Sequence, residues 1–405
     1  MGDAIEAAWV GIDAGKLSHH ATLVDAEGAI VWSRKVRNDQ AAIEQLIAKA
    51  TATAKTVRWA VDLTSAGAAL LLALLMAAGQ RVVYVPGTVV NRMSDTFAGE
   101  AKTDARDSFV IAETARLRRD FAELSTPNEL VAELALLTGY RADLLADWVR
   151  GINRLRELLT RVFPALEQSF DYSTRSALIL VSHYCTPDVI RDADTDELAA
   201  YLQREGAHRP SIPGMVAKAQ TAAAAQTVAL PGEATTAALI TRQARKLLDI
   251  DREIKNLDKQ LTERFRDHPQ AHIIESMPGM GPILGAEFIA ITAGDLAAFG
   301  TAARLATYAG LAPVPDDSGK RKGVMRRPRR YHRRLRHVFY MAAFSSLKSD
   351  GPSRDFYTRK RSERQRHTRA MIALSRRLVD VLWALLRDNR TWQTQPPTPL
   401  PATAA

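Results

Sequence analysis

The chain has almost no cysteine. Cys185 is the single one among 405 residues, which excludes an intramolecular disulfide and any cysteine-rich zinc site. A lone thiol kept reduced is the ordinary condition of a cytoplasmic protein. Long apolar runs are lacking too. The longest, Ala66 to Ala78, is too short to cross a bilayer, and its small residues after a strand suggest a packed helix. No secretory pattern precedes Trp9, so a cytoplasmic location with no membrane partner is expected. Acids are scarce in one stretch. From Lys320 to Arg377, 20 lysines and arginines face three acids, Asp350, Asp355 and Glu363. That stretch carries +17 out of a chain total of +10, so the remainder sums to −7. Basic character is confined to one segment, and it points to a polyanionic partner.

What is present reads as soluble domains. The chain is 46% hydrophobic and 25% charged, and long enough for two or three domains. Its organising stretch is Trp9 to Glu27, WVGIDAGKLSHHATLVDAE. Val10, Gly11 and Ile12 form a buried strand ending in Asp13, and Ala21 to Val24 form a second strand after a tight turn. A carboxylate at such a strand end needs a cation, a metal or water. Asp62 closes the apolar strand Val57 to Val61, and Asp104 and Asp107 follow in KTDARDS, one helical turn apart. Singly, each acid reads as a surface or capping residue. Together they make a hard-oxygen site for Mg²⁺ or Mn²⁺, the usual tool of phosphodiester chemistry.

Strands are expected at 8–13, 20–25, 29–36, 57–62 and 81–85, and helices at 40–54, 66–78 and 104–119. Three strands joined by short turns, then β-α-β units, give a mixed sheet covered by helices, the order of a ribonuclease-H-like fold. Sites in such sheets form where strand ends converge. Residues 86–103, rich in turn formers, read as a mobile loop. A long helix is expected over 127–164, short helices and loops over 165–235, and a sustained helix over 236–267. In the last, Leu247, Ile250, Ile254, Leu257 and Leu261 follow a coiled-coil spacing. A helical hairpin with 127–164 and a dimer contact both fit that seam.

Pro278-Gly279-Met280-Gly281 is a tight turn between helices, resembling a helix-hairpin-helix whose amides hold phosphate; a plain interhelical turn is the other reading. Pro313, Pro315 and Gly319 then force a loop that carries Ser318. From spacing alone Ser318 is an ordinary turn residue, though the cations beside it would stabilise charge in an attack on phosphate. Lys320, Arg321, Lys322, Arg326, Arg327, Arg329, Arg330, Arg333, Arg334 and Arg336, with Tyr331 and His332 interleaved, read as a nucleic-acid-binding run. Helices are expected at 333–347 and 364–389, and the Pro/Thr/Ala-rich tail from 391 reads as disordered. The expected fold class is therefore α/β plus α. A ribonuclease-H-like domain spans 1–124, a helical coiled-coil linker 125–268, and a mostly helical domain 269–390.

These stretches resemble the insertion-sequence transposases of the Piv/MooV type. The resemblance is carried by VGIDAGK…HHATLVD, AVDLTSAG, KTDARDS, SMPGMGPILGAEFIAITAGDLAAFGTAARLATYAGLAPVPDDSG and RRLR. It implies an N-terminal RuvC-like DEDD domain whose four acids fall on Asp13, Asp62, Asp104 and Asp107 and bind Mg²⁺ (or Mn²⁺). The family's catalytic serine falls on Ser318, which implies serine attack on DNA and a covalent phosphoserine link. The resemblance also implies DNA partners (donor and target), a structured bridge RNA as guide, and a homo-oligomer, dimer or synaptic tetramer, that joins the two centres across subunits. Two positions depart from the family pattern. Asp62 stands where Glu is usual, and Tyr331-His332 stands where Gly-Asn is usual. Two other functions fit the same residues. In a junction nuclease the four acids activate water and Ser318 is a turn. In a decayed copy the basic segment binds nucleic acid without chemistry. An ATPase reading of GIDAGK lacks a second Gly-rich phosphate motif.

Overall fold

The computed structural model describes residues 5–62, 66–97, 103–121, 123–124, 128–316, 323, 325–326 and 328–393. The chain divides into two compact units, Met1–Asn128 and Glu129–Ala405.

The first unit is a five-stranded mixed sheet with helices. Its elements run β1 (Ile5–Asp13), β2 (Ser18–Val24), β3 (Ile30–Arg37), α1 (Gln40–Thr53), β4 (Ala54–Val61), α2 (Ala69–Ala77), β5 (Arg81–Tyr84), α3 (Gly87–Ser94) and α4 (Asp104–Leu117). The strand order is β3-β2-β1-β4-β5. The meander β1-β2-β3 is antiparallel, whereas β4 runs parallel to both β1 and β5. Val10, Ile12, Leu23, Trp59 and Val61 are buried, as are Ile43 and Leu46 of α1 and Leu71 and Leu75 of α2, and together they form one core. Ala60, Val83 and Val110 and Ile111 of α4 form a second. The apolar run at 66–78 is thus a packed helix. Among the described residues no helix is long and apolar enough to cross a membrane.

Two contacts lock α4 onto the sheet. A Cβ added to Gly11 would meet the Ser108 carbonyl oxygen at 2.2 Å and the Ala112 nitrogen at 2.3 Å, so β1 and α4 touch backbone to backbone. Beside them, the Thr22 and Ser108 hydroxyls share a buried hydrogen bond of 2.7 Å. The expected loop over 86–103 is in part a helix. In α3, Val89, Val90 and Met93 recur at helical spacing and pack on α4's core, which outweighs the turn-forming Pro86, Gly87 and Asn91. Arg106 ties α3 to α4 by donating to the carbonyls of Ser94 (3.2 Å) and Phe97 (3.1 Å).

The second unit is built on two antiparallel helices of 34 residues each, α5 (Glu129–Val162) and α11 (Glu233–Arg266). Between them lie α6 (Pro164–Ser169), α7 (Arg175–Val181), α8 (Pro187–Asp192), α9 (Thr195–Arg204) and α10 (Ile212–Ala224). Leu247, Ile250, Leu257 and Leu261 are buried, so the seam expected on α11 is used within the chain, as a hairpin with α5. Arg264 Nε donates to Glu133 at 2.7 Å, and Arg141 pairs with Asp258, both across the hairpin. One end of the hairpin carries a core completed by α6 to α10. The other carries a core completed by α12 (Ala271–Ser276), α13 (Pro282–Thr292), α14 (Ala302–Tyr308), α15 (Arg333–Ser346), α16 (Pro352–Ser362) and α17 (His367–Arg387). Helix α16 lies where no element was expected. The short strands β6 (Val314–Pro315) and β7 (Met325–Arg326) pair antiparallel. Trp392 donates its backbone N–H to Ser276 Oγ at 2.9 Å, so the chain stays ordered at least to there; residues 394–405 of the expected disordered tail lie outside the described residues.

An added methyl at Gly11 has only backbone to push against, and overpacking of this kind costs about 1–3 kcal/mol. Gly11→Ala is expected to lower the melting temperature of the full chain and to open α4 first. Hydrogen exchange read peptide by peptide checks this: α4 amides should lose protection while α5 and α11 keep theirs.

Candidate active site

The four acids gather at one end and one face of the first unit's sheet. Gly11 pairs with Thr22, and both lie against α4. Side chains alternate along a strand, so Asp13, two residues on, points to the same face. Ala60, the β4 partner of Gly11, packs with α4's core. Asp62 is again two residues on, at the end of the neighbouring parallel strand. The first turn of α4 supplies Asp104 and Asp107. Thr103 caps that helix, its hydroxyl accepting from Arg106 N at 3.2 Å, and acids in a helix's first turn are favoured by its dipole.

The acids sit in different surroundings. Asp104 is exposed, whereas Asp13, Asp62 and Asp107 are half-buried. Asp62 Oδ1 is buried with no hydrogen-bond partner. Burial pushes the Asp62 carboxyl above the usual aspartate range; the Ala14 and Asp62 backbone N–H groups pull it down, and the charge of Asp107 pushes it up. Among the described residues no three carboxylate, imidazole or thiol groups stand close enough to share one ion. The acids share a neighbourhood without forming a closed cage. The donor set still fits a hard divalent cation, because every ligand is a carboxylate and one buried oxygen has no donor.

His20 joins this neighbourhood, and reading the acids alone missed it. It is the register partner of Asp13 and its Nε2 lies 2.9 Å from Ser33 Oγ. Burial holds its pKa below the usual histidine value, while Asp104 opposes that shift. A short turn after Asp13 already places residue 20 opposite it, so the pairing was legible in the spacing. His19, one residue away, is buried on the other face, and neither ring nitrogen has a hydrogen-bond partner of normal geometry.

In the second unit, Ser318, Lys320, Arg321, Lys322 and Arg327 lie outside the described residues. In the sequence the paired strands β6 and β7 flank Ser318, Lys320, Arg321 and Lys322, and Arg326 Nε bonds Asp316 at 2.9 Å across that pair. Arg329, Arg330 and Arg333 are exposed. Arg334 is turned inward, donating to Glu287 at 2.7 Å and to the Thr138 carbonyl at 3.1 Å. Arg336 lies over the Tyr331 ring at 5.0 Å. The Tyr331-His332 pair is built into the fold. Tyr331 covers Gly310, whose φ is +69° and where an added Cβ would meet the Tyr331 ring at 2.4 Å. His332 caps α15, its Nδ1 accepting from Leu335 N at 3.1 Å, the task Asn performs at other helix starts. At 278–281 the turn packs inward: Met277 and Met280 are buried, and a Cβ on Gly279 would strike the Ala342 carbonyl at 2.1 Å.

Because the folded-state pKa of Asp62 is raised, its contribution to stability is complete below the ordinary aspartate value and is lost as pH rises through the folded value. Without added metal, the wild type is expected to lose melting temperature as pH rises above the ordinary aspartate value. Asp62→Asn should flatten the loss and melt higher than wild type at neutral pH. Melts in a chelating buffer check this, and an unchanged pH slope would contradict it.

Comparison with known proteins bears on both units. A transposase family model of the DEDD IS110 type matches residues 10–164, which contain the four acids. A second, described as transposase of the IS116/IS110/IS902 family, matches residues 271–358, which contain Ser318 and most of the basic segment. The 44.8 kDa protein of insertion element IS116 from Streptomyces clavuligerus is 52% identical over 390 residues, covering 96% of this chain and 97% of that protein. The 42 kDa protein of IS900 from Mycobacterium paratuberculosis is 46% identical, covering 95% and 96%. The 43.6 kDa protein of IS110 from Streptomyces coelicolor is 33% identical, covering 96% of each. Likeness over nearly the whole length, with family models matching both the acid-bearing and the basic region, makes this chain a member of the IS116/IS110/IS902 family of transposases.

Proposed function

We propose that this transposase cuts and rejoins DNA through a serine nucleophile, Ser318, assisted by a divalent cation at Asp13, Asp62, Asp104 and Asp107. The observation that carries the metal part is Asp62 Oδ1, buried without a partner at the sheet end where β1 and the first turn of α4 also carry Asp13, Asp104 and Asp107. A carboxylate so placed is stabilised by a cation, and oxygen donors suit Mg²⁺ or Mn²⁺. When bound, such an ion supplies positive charge where negative charge develops on phosphate. The strand order β3-β2-β1-β4-β5 supports a ribonuclease-H-like reading of this unit.

The serine part rests on the sequence block around Ser318 and on the cations that follow it. The Ser318 oxygen attacks phosphorus and gives up its proton. The Ser–O–P bond forms, the bond from phosphorus to one DNA oxygen breaks, and that oxygen leaves protonated as a hydroxyl. A second DNA hydroxyl then displaces the serine and completes strand joining. Lys320, Arg321, Lys322, Arg326, Arg327, Arg329, Arg330 and Arg333 hold the DNA backbone, whereas Arg334 and Arg336 chiefly brace α15. A structured RNA encoded beside the gene selects the DNA by base pairing, and the working form is a homo-oligomer.

Expression with the native flanking DNA tests these steps together. Ser318→Ala is expected to abolish covalent protein–DNA adducts while leaving nucleic-acid binding intact, and Asp107→Asn to slow strand cleavage by about 10²–10³-fold. A single flanking RNA should copurify in near-stoichiometric amount. Adducts that survive Ser318→Ala would place the nucleophile elsewhere. Hydrolysed ends without adducts or joining would assign the chemistry to the acids alone. Random cellular RNA, removed by salt, would reject the guide.

A further inference from the structure

We propose a nucleotide-binding cleft in the second unit that seats one unit of a DNA strand. The proposal rests on the DNA-binding reading above and adds where on this unit a strand is held. The cleft has a volume of about 320 Å³ and lies among α5, α13 and the start of α15, lined by Arg141, Leu145, Ile283, Arg333, Arg334 and His337, with Thr138, Ala142 and Glu287 completing its wall. That volume is at the lower end of the about 300–1,000 Å³ of small-ligand clefts, room for one nucleotide.

The lining divides by role. Arg334 is held by Glu287 and the Thr138 carbonyl, and Arg141 by Asp258. These two bonded guanidiniums brace the wall, and their carboxylate partners cancel much of their charge. Arg333 and His337 differ. They are exposed, four residues apart and so neighbours on one face of α15, and among the described residues neither is engaged by an ion pair. Arg333 stands at the helix's positive end, where N–H groups of the first turn lack helical partners, and His337 lies one turn on. Opposite them, Leu145 is 38% exposed and Ile283 half-buried, an apolar wall against charged donors. A guanidinium and an imidazole on one side and an apolar surface on the other match a nucleotide: phosphate on Arg333 with His337 as a hydrogen-bond donor beside it, sugar and base on Leu145 and Ile283. DNA is the strand expected here, because the chain belongs to a family of transposases and transposition acts on DNA.

The sequence had counted Arg333 and Arg334 as equal members of one basic run. In the fold, one faces an open cleft and the other is a brace. It also brings in His337, Leu145 and Ile283, which no charge count would select.

Binding of fluorescein-labelled 30-nucleotide single-stranded DNA, and of RNA of the same sequence, tests the cleft by anisotropy across a salt series. Leu145→Glu replaces the apolar wall that receives sugar and base with a negative charge, at a residue 38% exposed and outside the core. It is expected to weaken DNA binding about tenfold, while Leu136→Glu, an equal charge change at a leucine 75% exposed on the same helix, leaves it near wild type. Arg333→Ala with His337→Ala should lower the slope of log K against log salt by about 1. Equal effects of Leu145→Glu and Leu136→Glu overturn the cleft while leaving DNA binding by the chain in place. A stronger loss for RNA than for DNA overturns the choice of DNA. A wild type that binds neither strand overturns the cleft and the nucleic-acid reading together.

Discussion

Everything in the first unit turns on how closely α4 is pressed to β1. The contact at Gly11 is backbone to backbone, and the Thr22–Ser108 hydrogen bond fixes its register. That closeness sets the first turn of α4, with Asp104 and Asp107, over the ends of β1 and β4, with Asp13 and Asp62. Carboxylates brought near one another repel, and burial makes it worse. Burial is the main cause that pushes the Asp62 carboxyl above the usual aspartate range, and the charge of Asp107 adds to it. The fold tolerates it because the packing of β1, β4 and α4 over-determines where the acids go.

The second unit solves a different problem, the storage of a large positive charge on a helical frame. Two hydrophobic cores at opposite ends of the α5–α11 hairpin leave that hairpin as the spine. The basic residues are unequal once placed on this frame. Some reach solvent, others are spent on internal carboxylates or on aromatic rings, as Arg334 and Arg336 are. The net charge of the segment therefore overstates how many cations are available to a phosphate backbone.

Much of this was legible in the sequence, for identifiable reasons. The five strands follow from short runs rich in Val, Ile and other apolar residues, and Asp13 and Asp62 stand where two of those runs stop. The hairpin follows from the spacing of Leu247 to Leu261. Helix α3 was lost because Pro86, Gly87 and Asn91 carry turn propensity, whereas the Val89, Val90 and Met93 stripe matters only once a core exists to receive it. His20 follows from register, which a list of acids does not contain. The inward turn of Arg334 depends on Glu287, 47 positions away in the chain, and no local pattern reports such a pair.

The most direct measurement is the melting of the full chain against Mg²⁺ and Mn²⁺, wild type beside Asp62→Asn and Asp107→Asn. A ligand that binds only the folded state raises its melting temperature with the logarithm of concentration. The wild type should rise with either ion and with hydrogen-exchange protection appearing at the start of α4, while both variants stay flat. An equal rise in all three proteins, or none in the wild type, would contradict a divalent-cation centre at this sheet end.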